Sequence, residues 1–198
     1  MNSIMHNDNY WLEEFDSLSL KGKDTRRFLN GLTTSNINLG NEVVKTCWLT
    51  PKGALRALLE IYFYEDNIIV IALQGKLFEI KQFFEDMIFP SDDILISKTF
   101  LNFRLQKVSN FVSWREGFPK LIKKNNIEEF LNKNNFMVLD EISLKEWKIS
   151  QAFPVLNNEI EGTHNPLELG LLDLVDFNKG CYLGQETMAR LRKLSSLK

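Results

Sequence analysis

The chain has 198 residues, 44% of them hydrophobic and 25% charged, with a formal net charge of −2. That is enough apolar matter for a core in one or two domains, and the near-neutral charge excludes a general electrostatic draw toward nucleic acid or anionic lipid. The longest apolar run, residues 68–73, is far too short to span a bilayer, and residues 1–14 lack the basic-then-apolar order of a signal peptide, so a soluble, cytoplasmic protein is expected.

In chain order, residues 15–20 alternate as a short strand. Gly22 breaks it, and Asp24 is placed to cap a helix running to Leu32, with Phe28, Leu29 and Leu32 as its apolar stripe. Residues 43–49 read as a strand, Pro51-Lys52-Gly53 as a turn, and 55–64 with 68–73 as a hairpin turning at Asp66-Asn67. A helix is predicted over 76–88, then strands at 94–98 and 103–108, a looser stretch around Gly117 and Pro119, a short helix at 127–131 and a strand at 136–139. Ser143, with Glu146 three residues on, is predicted to open a further helix that Pro154 closes, and Asn157-Asn158 reads as a turn. The chain then looks irregular to Gly170, and Gly184 opens a last helix to about Lys193. The order suits an α+β fold, with antiparallel sheets and helices packed on one face.

The two cysteines, Cys47 and Cys181, make no disulfide framework, and with His6 and His164 they make no metal cluster. The glycines form no dinucleotide fingerprint or Walker loop. One string carries chemistry: Lys179-Gly180-Cys181-Tyr182-Leu183-Gly184-Gln185-Glu186. Two glycines, a thiol and charged groups in so short a span suit a tight loop rather than a helix or strand. Gln185-Glu186 stands at the positive end of the following helix, and Arg190, Arg192 and Lys193 at its negative end.

This string resembles the signature of the folate-binding YgfZ family, relatives of the aminomethyltransferase (T-protein) of the glycine cleavage system, whose pattern is Lys-Gly-Cys-Tyr-x-Gly-Gln-Glu. Gly22-Lys23-Asp24, Phe28-Leu29, Thr34-Ser35-Asn36, Lys52-Gly53, the segment 147–154 and Asn165-Pro166-Leu167-Glu168 are similar to further family segments in the same order. The resemblance implies a discontinuous folate-binding domain from 1–48 and 142–198 around an inserted ferredoxin-like α+β domain at 49–141. It departs from the family at four points. Arg56-Ala57 stands where the aminomethyltransferases have a catalytic aspartate, so no side chain there takes up a proton near neutrality. Ser150 replaces the pterin-binding glutamate, and Asn36 replaces a further aspartate. The family's C-terminal β-barrel, about a hundred residues and so the size of a domain, has no counterpart in these 198 residues, and a partner or a second copy is expected to supply the wall it would form.

What the resemblance implies for the site follows. Cys181 and Lys179 are the catalytic candidates, and Glu168, Ser150, Tyr182 and Arg190 the candidates for contact with tetrahydrofolate or a derivative. Glu168 is the substitute for the missing pterin carboxylate, with capping of a nearby turn as the plainer alternative. Lys52, Arg56, Arg190 and Arg192 are possible partners of the acidic folate tail, and Trp48, Tyr182 and Phe177 possible aromatic walls, core packing being the alternative. A neighbouring cation and a helix N-terminus would favour the Cys181 thiolate; the alternative is a small buried hydrophobe. Lys179 would hold the loop, meet the folate tail or tune the thiol.

Three functions compete. The first is a folate-binding accessory protein that supports assembly or repair of iron–sulfur enzymes, tRNA-modifying ones included. The second is an aminomethyltransferase, and the third a folate-independent interaction module. The implied partners are a reduced folate and iron–sulfur proteins or their assembly factors, without membrane or direct nucleic-acid contact.

Overall fold

The computed structural model describes residues 9–39, 42–109, 112–134, 136–155, 160 and 162–195. The turn expected at Asn157-Asn158 lies outside these residues. The chain divides into two compact units, Met1–Asp16 with Phe100–Phe153, and Ser17–Thr99 with Pro154–Lys198.

The larger unit is built on an antiparallel sheet. Strands β2 (Val43–Leu49), β3 (Leu55–Phe63) and β4 (Ile68–Gln74) form a meander, and the second part of β1 (Asn9–Lys21) pairs with β4, Leu18 opposite Val70 and Leu20 opposite Ile68. Side chains alternate across a pleated strand, so one face collects Leu18, Leu20, Trp48, Leu59, Ile61, Ile68 and Val70. Helix α1 (Thr25–Leu32) lays Leu29 and Leu32 on that face, and α2 (Leu77–Met87) adds Ile80 and Phe84. The expected arrangement, an antiparallel sheet with helices on one face, is what forms here.

The opposite face is buried too, but it carries polar groups: Ser17, Ser19, Lys45 and Glu60. Lys45 and Glu60 are cross-strand partners, with ammonium and carboxylate 3.8 Å apart, and the Tyr62 hydroxyl donates to Glu60 at 2.6 Å. A buried carboxylate needs such partners to remain ionised.

The smaller unit pairs β5 (Leu95–Val108) with β6 (Lys120–Lys123), and sets β7 (Met137–Val138) parallel to the start of β1. Leu105, Ile122 and Ile127 form its aliphatic centre. Beside them in the same unit, Trp11 meets Trp147 and Phe153 edge-on, with the Arg104 guanidinium 4.0 Å over the Trp11 ring. Helices α3 (Ile127–Asn134) and α4 (Glu141–Ser150) complete this unit, and α5 (Gln185–Ser195) ends the larger one.

Several expectations are corrected. The first strand starts at Asn9 rather than at residue 15. Strands 94–98 and 103–108 are one continuous strand, and β6 lies in the stretch expected to be loose. Helix α4 begins two residues before Ser143, because Asp140 is its N-cap: the carboxylate accepts from the Ser143 amide at 2.9 Å and from its hydroxyl at 2.8 Å. Asp24 stands at the start of α1 without a side-chain capping bond to a helix amide; its carboxylate accepts instead from the Asp93 amide at 3.0 Å. That bond, reinforced by Arg27, holds the Asp24 carboxyl below the usual range.

Candidate functional site

The signature loop lies in the larger unit, between a 3₁₀ turn at Leu172–Leu174 and α5. It is fixed first through residues 33–35, which continue from α1. Thr33 forms an antiparallel bridge with Trp48, and the Thr34 amide donates to the Cys47 carbonyl at 3.1 Å. The buried Thr34 hydroxyl donates to the Leu174 carbonyl at 2.6 Å, and the Thr34 carbonyl accepts from the Asp176 amide at 2.9 Å. This short segment therefore ties β2 to the approach to the signature. Asp176 then turns the chain, its carboxylate accepting from the Asn178 and Lys179 amides at 2.7 and 3.1 Å.

A helix ends with carbonyls that have no partner inside it. In α1, the Leu29 carbonyl accepts from the amide and hydroxyl of Thr33, and the carbonyls of Asn30 and Gly31 come next. The signature caps both. The Lys179 ammonium donates to the Asn30 carbonyl, and the Leu183 amide to that of Gly31 at 3.2 Å. Lys179 also donates to the Thr33 and Ser35 carbonyls, each of its three bonds measuring 2.7 Å. Helix α1 has no basic residue in its last turn, and Lys179 brings one to its negative end from far along the chain. Burial pulls the Lys179 pKa down to about 8, with Asp176 opposing. At neutral pH the amine is charged and its three protons each meet a carbonyl.

Tyr182 is buried beside this ammonium, 5.3 Å from Nζ to the ring centroid. Its hydroxyl has no hydrogen-bond partner among the described residues, and burial, with Asp176 and Cys47 nearby, pushes the phenol up to about 12. Gly184 has φ of +84°, and a Cβ there would stand 2.7 Å from the Thr50 carbonyl oxygen and 3.2 Å from the Gly53 Cα. Gly53, at φ of +81°, faces Thr187 in turn. The Pro51-Lys52-Gly53 turn and the start of α5 thus touch backbone to backbone, which only glycine allows.

Gly180 and Cys181 differ from the rest. Cys181 is exposed and free, and a Cβ on Gly180 would meet nothing within 4 Å. Gly180 is therefore not there for close approach. Cys47 is buried in β2, as its strand position suggests.

The other sequence candidates are dispersed. Glu168 is exposed and sits in a small reciprocal turn: its carboxylate accepts from the Asn165 amide at 2.9 Å, while the Asn165 side chain accepts from the Leu167 and Glu168 amides. Ser150 lies in the smaller unit, where its hydroxyl donates to the Trp147 carbonyl at 2.8 Å. Arg190 is exposed on α5. Of the possible aromatic walls, Trp48 carries the Arg56 guanidinium 5.6 Å over its ring, and Phe177 carries that of Arg192 at 4.4 Å. Asn36 accepts from the Asn38 amide, a local turn. His164 is exposed and bonds with Thr163 through its ring, while its carbonyl accepts from the Leu55 amide at 2.7 Å. Asn30 and Asp176, which help to seat the loop, were not singled out by sequence reasoning, and Thr34 entered only within its family-like segment: nothing in an isolated Thr, Asn or Asp announces a partner more than a hundred residues away.

No family model matches the chain. The tRNA-modifying protein YgfZ of Aliivibrio fischeri (strain MJ11) is 26% identical over 208 residues, covering 91% of this chain and 65% of that protein. The protein of the same name from Colwellia psychrerythraea is 25% identical over 220 residues, covering 94% and 68%. The chain thus spans about two thirds of the length of these curated relatives. Among solved structures, the glycine cleavage system aminomethyltransferase T from Bartonella henselae superposes with a TM-score of 0.69 at 12% identity, covering 94% of this chain and 64% of that one. In sequence the chain is YgfZ-like, and its fold is that of the aminomethyltransferase.

Proposed function

We propose that this chain is a cytoplasmic tetrahydrofolate-binding accessory protein, which supports the assembly or repair of iron–sulfur enzymes, tRNA-modifying ones among them, without turning over a substrate itself. The observation that carries the reading is the division of labour in the signature. Lys179, Tyr182, Leu183 and Gly184 are committed to fixing the loop, while Cys181 faces solvent. A loop held this firmly under an exposed thiol suits a sulfur that is presented to a partner. The names of the relatives support a link to tRNA modification.

A folate offers a pterin with adjacent N–H groups and an acidic tail. In the larger unit, Glu168 has a carboxylate oxygen beyond the one bonded to Asn165, and Lys52, Arg56 and Arg190 are exposed cations. In chemical type these residues suit a reduced folate: Glu168 would accept from the pterin and the cations would pair with the tail. In this reading Cys181 is the working sulfur and Lys179 its support. At the start of β3, Arg56 is exposed and Ala57 buried, so no proton acceptor stands where an aminomethyltransferase would need one.

Calorimetric titration with tetrahydrofolate tests the reading. Saturable binding is expected, weakened by roughly 1.5–3 kcal/mol in Glu168→Ala through loss of a charge-assisted bond. Equal binding by the two proteins removes Glu168 from the site. No heat with either leaves the third reading, a folate-independent interaction module, which the local engagement of Glu168 and Ser150 favours.

A further inference from the structure

Three carbonyl oxygens, those of Asn30, Thr33 and Ser35, converge at 2.7 Å on a single nitrogen. They belong to the last turn of α1 and the segment that leaves it, where the helix dipole is negative. The segment is rigidly held: Thr33 bridges to Trp48, and Thr34 bonds to Cys47, Leu174 and Asp176. Burial lowers the lysine pKa, and the nearby Asp176 carboxylate opposes that shift. Oriented carbonyls in a fixed frame replace the hydration shell of a cation, as selectivity filters show.

We propose that these carbonyls form a cation cradle at the C-terminal end of α1, selective for a primary ammonium, and that Lys179 is its tethered occupant. The signature loop is then seated by a cation held in a backbone site, which exists independently of the lysine stem. Three converging acceptors match the three protons of an ammonium; the planar fork of arginine does not address them together. The proposal stands whether or not the chain binds folate.

Emptying the cradle and offering it free cations provides the test. Lys179→Ala should unfold at a lower temperature than the wild type. Methylammonium or ammonium chloride should raise its midpoint saturably by about 2–4 °C, as ligand binding to the folded state does in a chain of this size. Tetramethylammonium chloride of equal ionic strength, which has no N–H to donate, should not, and neither salt should separate from the other on the wild type. Slowed alkylation of Cys181 in the variant, restored by methylammonium, would tie the cradle to the presentation of the thiol. A variant that responds equally to methylammonium and tetramethylammonium overturns the proposal. If Lys179→Ala does not fold, nitrogen-15 spectra of the wild type decide: a Lys179 ammonium whose protons exchange slowly at neutral pH supports the cradle, and one exchanging as fast as exposed lysines overturns it.

Discussion

The signature has an inner part and an outer part. Lys179, Tyr182 and Gly184 are turned inward, onto the end of α1, the buried Cys47 and the Thr50 carbonyl; Gly180 and Cys181 are turned out. The difference teaches that a short motif can combine two unlike constraints. Its inward residues answer to the fold and its outward ones to whatever the protein meets, so substitutions in the two parts should fail in different ways.

The largest effect is expected at Gly184. Alanine there needs a positive φ and sets a methyl 2.7 Å from a backbone oxygen, which should cost about 3 kcal/mol in urea unfolding. A near-neutral result would break the comparison. Lys179→Met comes next, at about 2 kcal/mol near pH 7, since carbonyls lose a charged donor. Its pH dependence sharpens the point. The folded pKa of about 8 lies below the ~10.4 of an unfolded lysine, so between those values the unfolded chain holds a proton that the folded one has lost. This group's contribution is least favourable below pH 8 and improves as pH rises to about 10.4. Over that window the wild type should gain on Lys179→Met, and a constant difference would contradict the shift. Smallest are Gly180→Ala and Cys181→Ser, each expected within about 0.5 kcal/mol of the wild type. Cys181→Ser should nonetheless abolish any restoration of modified tRNA nucleosides in cells lacking the relative's activity; full restoration would remove the sulfur from the proposed role.

The larger unit was the more legible in the sequence. Residues 43–49, 55–63 and 68–74 are apolar-rich stretches between clear turns, and α2 has its apolar residues at helical spacing. In the smaller unit, tertiary partners decide. β6 is four residues with two lysines, and it is a strand because Asn102–Leu105 pair with it. β5 reads as two strands because its local pattern lapses near residues 99–102, yet the backbone continues. At the site, the sequence offered the signature, a thiol on its loop and the α5 start, while the exposure of that thiol came from the structure. Lys179 illustrates the remainder: its acceptors lie 144, 146 and 149 positions away, and no periodicity carries that far.

The lysine contact has a consequence for how such chains drift over time. Every acceptor around that ammonium is a main-chain oxygen, which any residue type supplies equally. Positions 30, 33 and 35 can therefore exchange side chains without disturbing this contact, while position 179 cannot. Paired substitution between them is not expected, and a method that infers proximity from correlated mutation would pass over one of the most firmly made long-range attachments in the molecule.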